Sequence, residues 1–278
     1  MLKRELLGVA GIGALIVGLA TPASAQAPDP QSTFNRIRTT KTLRVGAIVG
    51  TEPYFHKDIA TGDWSGFCIA MARDLARPFG ADLEIVESTW GNTVLDLQSS
   101  KIDISFGLSP TPERAMTVEF TTPVLENTFT VITKGDATPK SWSDLDKPSV
   151  KVAFDIGSTH DLFARRMLPN ATLLALPTPD AAALAVQTGR ADYVIQVILL
   201  ALVSVKKNPQ LGRMVIPTPM MQQPTCAGVR PDPDGRFLAF VDSWLAYNRG
   251  LGSIRSWILD GLKLVNITPD DVPPQIQF

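Results

Sequence analysis

Two stretches of this chain write out the same short piece of structure. Leu97-Gln98-Ser99-Ser100-Lys101-Ile102-Asp103-Ile104 matches Val186-Gln187-Thr188-Gly189-Arg190-Ala191-Asp192-Tyr193 in residue type at nearly every position. Each reads as the end of a helix, a tight turn and the start of a strand. The surroundings agree as well. Around the first copy, residues 43–49 are a β-rich run and 67–78 have the spacing of an amphipathic helix. Residues 83–86 then read as a strand, 92–99 as a helix and 102–106 as a strand. Around the second copy, 150–154 is a strand, 159–167 a helix opened by the turn Gly157-Ser158-Thr159, 173–176 a strand, 181–188 a helix and 191–195 a strand. Alternation of this kind predicts βαβ units on a mostly parallel sheet, and its repetition predicts two α/β lobes of similar build.

Composition is compatible with that size of core. The chain has 278 residues, of which 45% are hydrophobic and 19% charged, the makeup of a globular protein of one large or two medium domains. Residues 1–25 stand apart. Lys3 and Arg4 precede an apolar run from Leu6 to Ala20, and Ala23-Ser24-Ala25 offers a small-residue cleavage site, which together predict a secretory signal peptide. Without Lys3, Arg4 and Glu5 the remaining chain carries a formal charge of −2 against −1 for the whole. A nearly neutral surface argues against nucleic acid as a partner, because phosphate binding draws on a basic face. The two cysteines, Cys68 and Cys226, could pair after export or stay as buried thiols, and the sequence leaves both open. His56 and His160 show no metal-ligand spacing with either Cys, so no metal and no cofactor are expected.

Ligands of α/β units sit beyond the carboxyl ends of the strands. In the first lobe that rule selects Gly107 to Arg114, and in the second Gly157 to Thr159 with the residues after Ile195. The first segment, Gly107-Leu108-Ser109-Pro110-Thr111-Pro112-Glu113-Arg114, joins bare turn amides to a fixed guanidinium. Such a set receives a small carboxylate, since amides and the Arg fork satisfy both oxygens.

Several motifs in one order now carry a resemblance. Gly66-Phe67, Leu97-Gln98 with Asp103, the Gly107–Arg114 segment, Phe120, Pro123, Gly157-Ser158-Thr159 and Gly189-Arg190-Ala191-Asp192 together resemble the periplasmic solute-binding proteins of polar-amino-acid ABC transporters. The resemblance implies a type II periplasmic binding fold, two α/β lobes joined by two crossover strands, with lobe 1 at 36–132 plus 224–278 and lobe 2 at 133–223. It implies a monomeric periplasmic receptor that delivers its ligand to an inner-membrane ABC permease. Arg114 matches the family Arg that pairs with the ligand carboxylate, with Gly107 and Ser109 beside it and Ser158 and Thr159 across the cleft. Tyr54 and Trp90 match two aromatic positions that sandwich the ligand body, and His160 adjoins the Thr159 turn.

One departure bears on the ligand. Amino-acid binders of the family place an Asp five residues after the Asp of the Gly-Arg-x-Asp turn, where it meets the ligand ammonium; here that position is Val197. A buried ammonium without an anion is costly. Cys68 likewise stands where relatives usually carry an acid. The expected ligand is therefore a small organic carboxylate or an atypical amino acid, the latter with its ammonium held by backbone carbonyls and Gln196 or Gln222. The same fold also carries periplasmic enzymes such as cyclohexadienyl dehydratase. His160, Asp155 and Glu52 are the acid–base candidates, but no paired carboxylates or nucleophile constellation accompany them, and the sequence-based expectation is a receptor without catalytic activity.

Overall fold

The computed structural model describes residues 32–135, 137–274 and 276, so the signal peptide expected at 1–25 lies outside the described residues. The first half of the chain runs α1 (Thr33–Thr40), β1 (Thr42–Ile48), the short pair β2 (His56–Lys57) and β3 (Trp64–Ser65), α2 (Phe67–Ala76) and β4 (Asp82–Ser88). It continues through α3 (Thr93–Gln98), β5 (Ile104–Leu108), α4 (Pro112–Ala115), β6 (Glu119–Phe120) and β7 (Leu125–Thr133). Then come β8 (Lys151–Asp155), α5 (Thr159–Met167), β9 (Thr172–Leu176), α6 (Pro179–Gln187), β10 (Tyr193–Val197) and α7 (Ile198–Lys207). The chain closes with β11 (Arg213–Val215), β12 (Gln222–Val229), α8 (Arg236–Gly250) and α9 (Ser253–Lys263).

The main sheet has the order β4-β1-β5-β12-β7-β10-β8-β9. Its two ends are parallel, β1 with β4 and β5, and β8 with β9 and β10, as βαβ units require. The middle is antiparallel, so the sheet is more mixed than the alternation of elements alone predicts. β12 pairs with β7 through Gln222–Thr225 and with β5 through Cys226–Val229; β7 pairs with β12 through Leu125–Thr128 and with β10 through Phe129–Thr133. Each of these two strands thus serves one half of the sheet with one end and the other half with the other. The molecule is a two-lobed α/β protein joined by these crossings. The first lobe buries Val45, Ile104 and Phe106 of its strands against Phe67, Met71 and Leu75 of α2, and the second buries Ala182, Ala185 and Val186 of α6 beneath β8.

The repeated sequence is a repeated device. The first turn reverses through Ser100 at φ 59° and the second through Gly189 at φ 74°. In both, two successive amides close the turn on one carbonyl, Lys101 and Ile102 on Asp96, and Arg190 and Ala191 on Ala185. The Asp that follows accepts a backbone N–H near the start of the neighbouring strand: Asp103 from Arg44 of β1 at 2.7 Å, Asp192 from Lys151 of β8 at 2.8 Å. Because those carboxylates are committed to the turn, β5 and β10 start two residues later than their apolar runs suggest, and end two residues later. That shift brings Gly107 inside β5, one residue before its end, and makes Val197 the last residue of β10.

The two copies differ in burial. Asp103 is fully buried and pairs with the Arg36 guanidinium and with that of Arg44 at 2.6 Å, whereas Asp192 is exposed. Asp103→Ala should cost about 3–5 kcal/mol, the penalty for leaving a desolvated pair broken, while Asp192→Ala should cost about 1 kcal/mol for one lost hydrogen bond. Denaturant titration of both variants checks this, and equal losses would contradict it.

Candidate functional site

Gly107, the last residue but one of β5, has φ 84°, a conformation that side chains rarely adopt. A Cβ there would lie 3.0 Å from Tyr54 and 3.1 Å from Trp90, so the glycine is what lets both rings lie against the strand. The rings meet edge to face, centroids 6.3 Å apart at 84°. They form a corner rather than two parallel plates, which corrects the expectation of a sandwich around the ligand. Tyr54 is also tilted against Phe67 at 4.7 Å, and burial pushes its phenol far up.

Two residues on, the chain turns into α4. Thr111 caps it by accepting the Arg114 N–H at 3.3 Å, and Pro112 occupies the first position, where no amide donor is needed. Arg114 is thereby held inward and buried. Its guanidinium donates to the Ser109 carbonyl at 3.0 Å and, across the cleft, to the Gly157 carbonyl at 2.9 Å. Among the described residues no carboxylate lies within ion-pair distance of it. Burial pushes Arg114 down to about 10, with Asp155 and Glu113 opposing from farther off.

The facing wall begins where β8 ends at Asp155. The Ser158 hydroxyl caps α5, accepting from the His160 and Asp161 amides at 3.1 and 3.3 Å and donating to the Asp155 carbonyl at 2.7 Å. That hydroxyl has no hydrogen left for a ligand, so Ser158 serves the wall as its cap. Thr159 accepts from the Gln223 side chain at 2.7 Å. His160 is buried between two partners: its Nε2 accepts the Val197 N–H at 3.1 Å, which places the ring proton on Nδ1, 2.7 Å from Asp155. Val197 stands at the start of α7 on the cleft wall, where the resemblance placed the missing carboxylate.

Tyr54, Trp90, Gly107, Ser109, Arg114, Ser158, Thr159 and Val197 therefore line one cavity, with His160 beside them. Its free volume is about 20 Å³, room for about one water, because the lobes are in contact. Asn127, Leu200, Gln223 and Thr225 complete the lining and were not among the expected site residues. Three of them lie on the crossover strands, where no local motif marks a site; Gln223 and Thr225 alternate along β12, but Asn127 stands between Leu125 and Phe129 in its phase of β7 and has no such signal. Gln222, one residue out of phase, is exposed and donates to Thr128 at 3.2 Å. Gln196 accepts from Ser204 at 2.9 Å and, with Glu52, faces a separate cavity of about 330 Å³ beyond Leu200. Neither Gln196 nor Gln222 reaches the cleft, so the expected ammonium partners are corrected. Glu52 spans the lobes instead, 3.0 Å from His56 and 2.9 Å from Lys207. Burial pushes its carboxyl up, but the hydrogen bonds of His56 and Lys207 outweigh that and hold it below the usual range.

Cys68 and Cys226 are free, buried thiols, pushed up by desolvation, Cys226 to about 12. Among the described residues no group of His, Cys, Asp and Glu is arranged to hold a metal ion, and no helix is long and apolar enough to cross a membrane.

Two α/β lobes joined by two crossing strands, closed over a buried guanidinium, define a solute-binding architecture. The chain belongs to the bacterial extracellular solute-binding proteins, family 3, whose sequence model it matches over residues 43–215. It is a solute-binding protein of the amino-acid ABC-transport type. Cyclohexadienyl dehydratase of Pseudomonas aeruginosa is 29% identical over 240 residues, covering 85% of this chain and 88% of that enzyme. ABC transporter arginine-binding protein 1 of Escherichia coli is 29% identical over 192 residues, covering 66% of this chain and 76% of that protein. A solved ancestral amino acid-binding protein, described as a precursor of cyclohexadienyl dehydratase, superposes with a TM-score of 0.74 at 31% identity, over 81% of this chain and 97% of its own. The expectation of a receptor without catalytic activity is overturned here, since an enzyme and its ancestor stand among the relatives.

Gly157 faces Gly91 of the opposite lobe, backbone to backbone. A Cβ on Gly157, at φ 73°, would sit 2.8 Å from the Gly91 Cα, whereas a Cβ on Gly91 would meet Gly157 at an ordinary 3.6 Å. Gly157→Ala should therefore prop the cleft open and enlarge the radius of gyration in X-ray scattering, while Gly91→Ala leaves it unchanged. The same radius in all three proteins would contradict this reading of the contact.

Proposed function

We propose that this protein is the periplasmic receptor of an ABC importer and binds a small carboxylate between its lobes, with the carboxylate on Arg114. The observation that carries the reading is the state of that guanidinium: buried and, among the described residues, bonded to two carbonyls and to no anion. A ligand carboxylate supplies the missing charge at a site that excludes water, and the Arg fork fixes its orientation. Ser109, Thr159 and Gly107 shape the anion pocket, and Tyr54 and Trp90 form the apolar corner for the ligand body. Residues 36–132 with 224–278 form one lobe and 133–223 the other, hinged where β7 and β12 change partners. No Asp or Glu is among the described residues that line the cleft, which supports an acid whose further groups are neutral.

Arg114→Ala should weaken binding by about 2–5 kcal/mol for every carboxylate that the wild type holds, because the ligand anion is left desolvated and unpaired. Calorimetric titration measures it. Equal affinity in the two proteins would remove the carboxylate assignment.

A second reading is favoured by the likeness to cyclohexadienyl dehydratase together with a His–Asp pair on the cleft wall. In it the protein converts a cyclohexadienyl acid to an aromatic acid: the ring carboxylate leaves as CO2, its bonding electrons complete the aromatic ring, and the ring hydroxyl leaves as water with a proton from His160, oriented by Asp155. Both ring nitrogens are engaged in the closed cleft, so the Val197 contact would have to open first. Incubation with prephenate and with arogenate, followed by chromatography, decides: multiple turnovers abolished by His160→Asn support catalysis, and loss of neither acid sets it aside.

A further inference from the structure

Asn127 lies on β7 next to the point where that strand changes partners, and it is 2% exposed. Its amide nitrogen is doubly engaged, donating to the Tyr54 hydroxyl at 2.6 Å and to the Thr225 hydroxyl at 2.8 Å. Its Oδ1 is shut away from solvent and has no hydrogen-bond partner. Two other buried side-chain atoms among the described residues share that condition, Arg36 Nε and Glu119 Oε2, but neither residue lines the cleft; Asn127 does. A buried carbonyl oxygen left without a donor forfeits its hydration with nothing in return.

The neighbouring groups narrow what completes it. The Tyr54 and Thr225 oxygens already receive the Asn127 amide hydrogens, Thr159 receives Gln223, and His160 is held at both nitrogens. None of these bonds meets the Oδ1, and Val197 brings no polar group to the opposite wall beyond its backbone.

We infer that Asn127 sets ligand specificity: its Oδ1 accepts a hydrogen bond from a neutral O–H or N–H group on the bound acid, so the site selects carboxylates that carry such a neutral donor over those that do not. The inference rests on the carboxylate reading above, with Arg114 holding one end of the ligand and Asn127 reading a second group. A hydroxyl is fully satisfied by one neutral acceptor. An ammonium is not, because its charge stays uncompensated on a wall without a carboxylate. Hydroxy acids are thus the best match, ahead of plain acids, which leave the Oδ1 unmet, and of amino acids, whose charge stays unpaired.

Three matched series test this by calorimetry on the full protein: propionate, lactate and alanine; 3-phenylpropionate, 3-phenyllactate and phenylalanine; glutarate, 2-hydroxyglutarate and glutamate. In the series that fits the cleft, the hydroxy acid should bind at least tenfold more tightly than the plain acid. Asn127→Leu should erase that advantage while leaving the plain acid bound. Asn127→Asp keeps the shape of the side chain and adds a charge, so it should favour the amino acid by at least tenfold relative to the hydroxy acid, and it tests the inference even where Asn127→Leu does not fold. An advantage that persists in Asn127→Leu, or an Asn127→Asp variant that weakens all three members alike, overturns the inference and leaves the carboxylate reading intact. Binding of no member in any series overturns both.

Discussion

The Arg114 guanidinium is shared between the lobes, bonded to a carbonyl of its own turn and to the Gly157 carbonyl of the other, and the site is organised around that sharing. A charge this deeply buried is costly unless an anion meets it, and none of the described residues does so. The surrounding elements make the burial feasible. The Thr111 cap and Pro112 fix the helical turn that carries Arg114, and Gly107 brings two aromatic rings against the strand below it. Gly157, which has no Cβ to strike the Gly91 backbone, lets the opposing backbones approach close enough for the second bond to form.

The rest of the cleft is polar but neutral. On the facing wall Asp155 is bound to His160, whose other nitrogen holds the Val197 amide, and Asp161 accepts the Gly157 amide at 2.9 Å. That chain of bonds fixes the end of β10 and the start of α7 with respect to β8. It also ties the one imidazole on the wall to the backbone position where amino-acid receptors of the family carry a carboxylate. The opposing crossover strands contribute amide and hydroxyl groups, Asn127, Gln223 and Thr225, two of which bond each other and one of which reaches Thr159. Motion about the crossover strands would break the bond from Arg114 to the Gly157 carbonyl, which couples opening of the cleft to exposure of the anion site.

Much of this was legible in the sequence, and the exceptions have physical causes. The duplicated helix–turn–strand announced two lobes, because the Asp that closes each turn must follow a left-handed residue and precede a strand. The eight expected site residues meet in one cavity, since strand ends and helix starts are local features that the chain writes plainly. The strand boundaries slipped by two residues, because apolar patterning does not reveal that Asp103 and Asp192 are held back to bind the adjoining strand. The crossover strands hid their contribution, for which side faces the cleft depends on register; Gln223 points in and Gln222 points out. The Tyr54 and Trp90 geometry was equally invisible, being set by a distant packing partner, Phe67. Catalysis was weighed from the residues, with His160, Asp155 and Glu52 as acid–base candidates, but a binding protein and an enzyme share the scaffold, and the expectation of no catalytic activity fell to the likeness with a dehydratase.

Native mass spectrometry of the full protein purified without denaturation puts the central assignment to the most direct test. The expected species is protein with one small molecule whose mass, confirmed by fragmentation, contains a carboxyl group, and the same preparation of Arg114→Ala should carry none. A retained molecule without a carboxyl group, or one that stays bound in Arg114→Ala, would contradict the assignment of Arg114 as the anchor of the ligand.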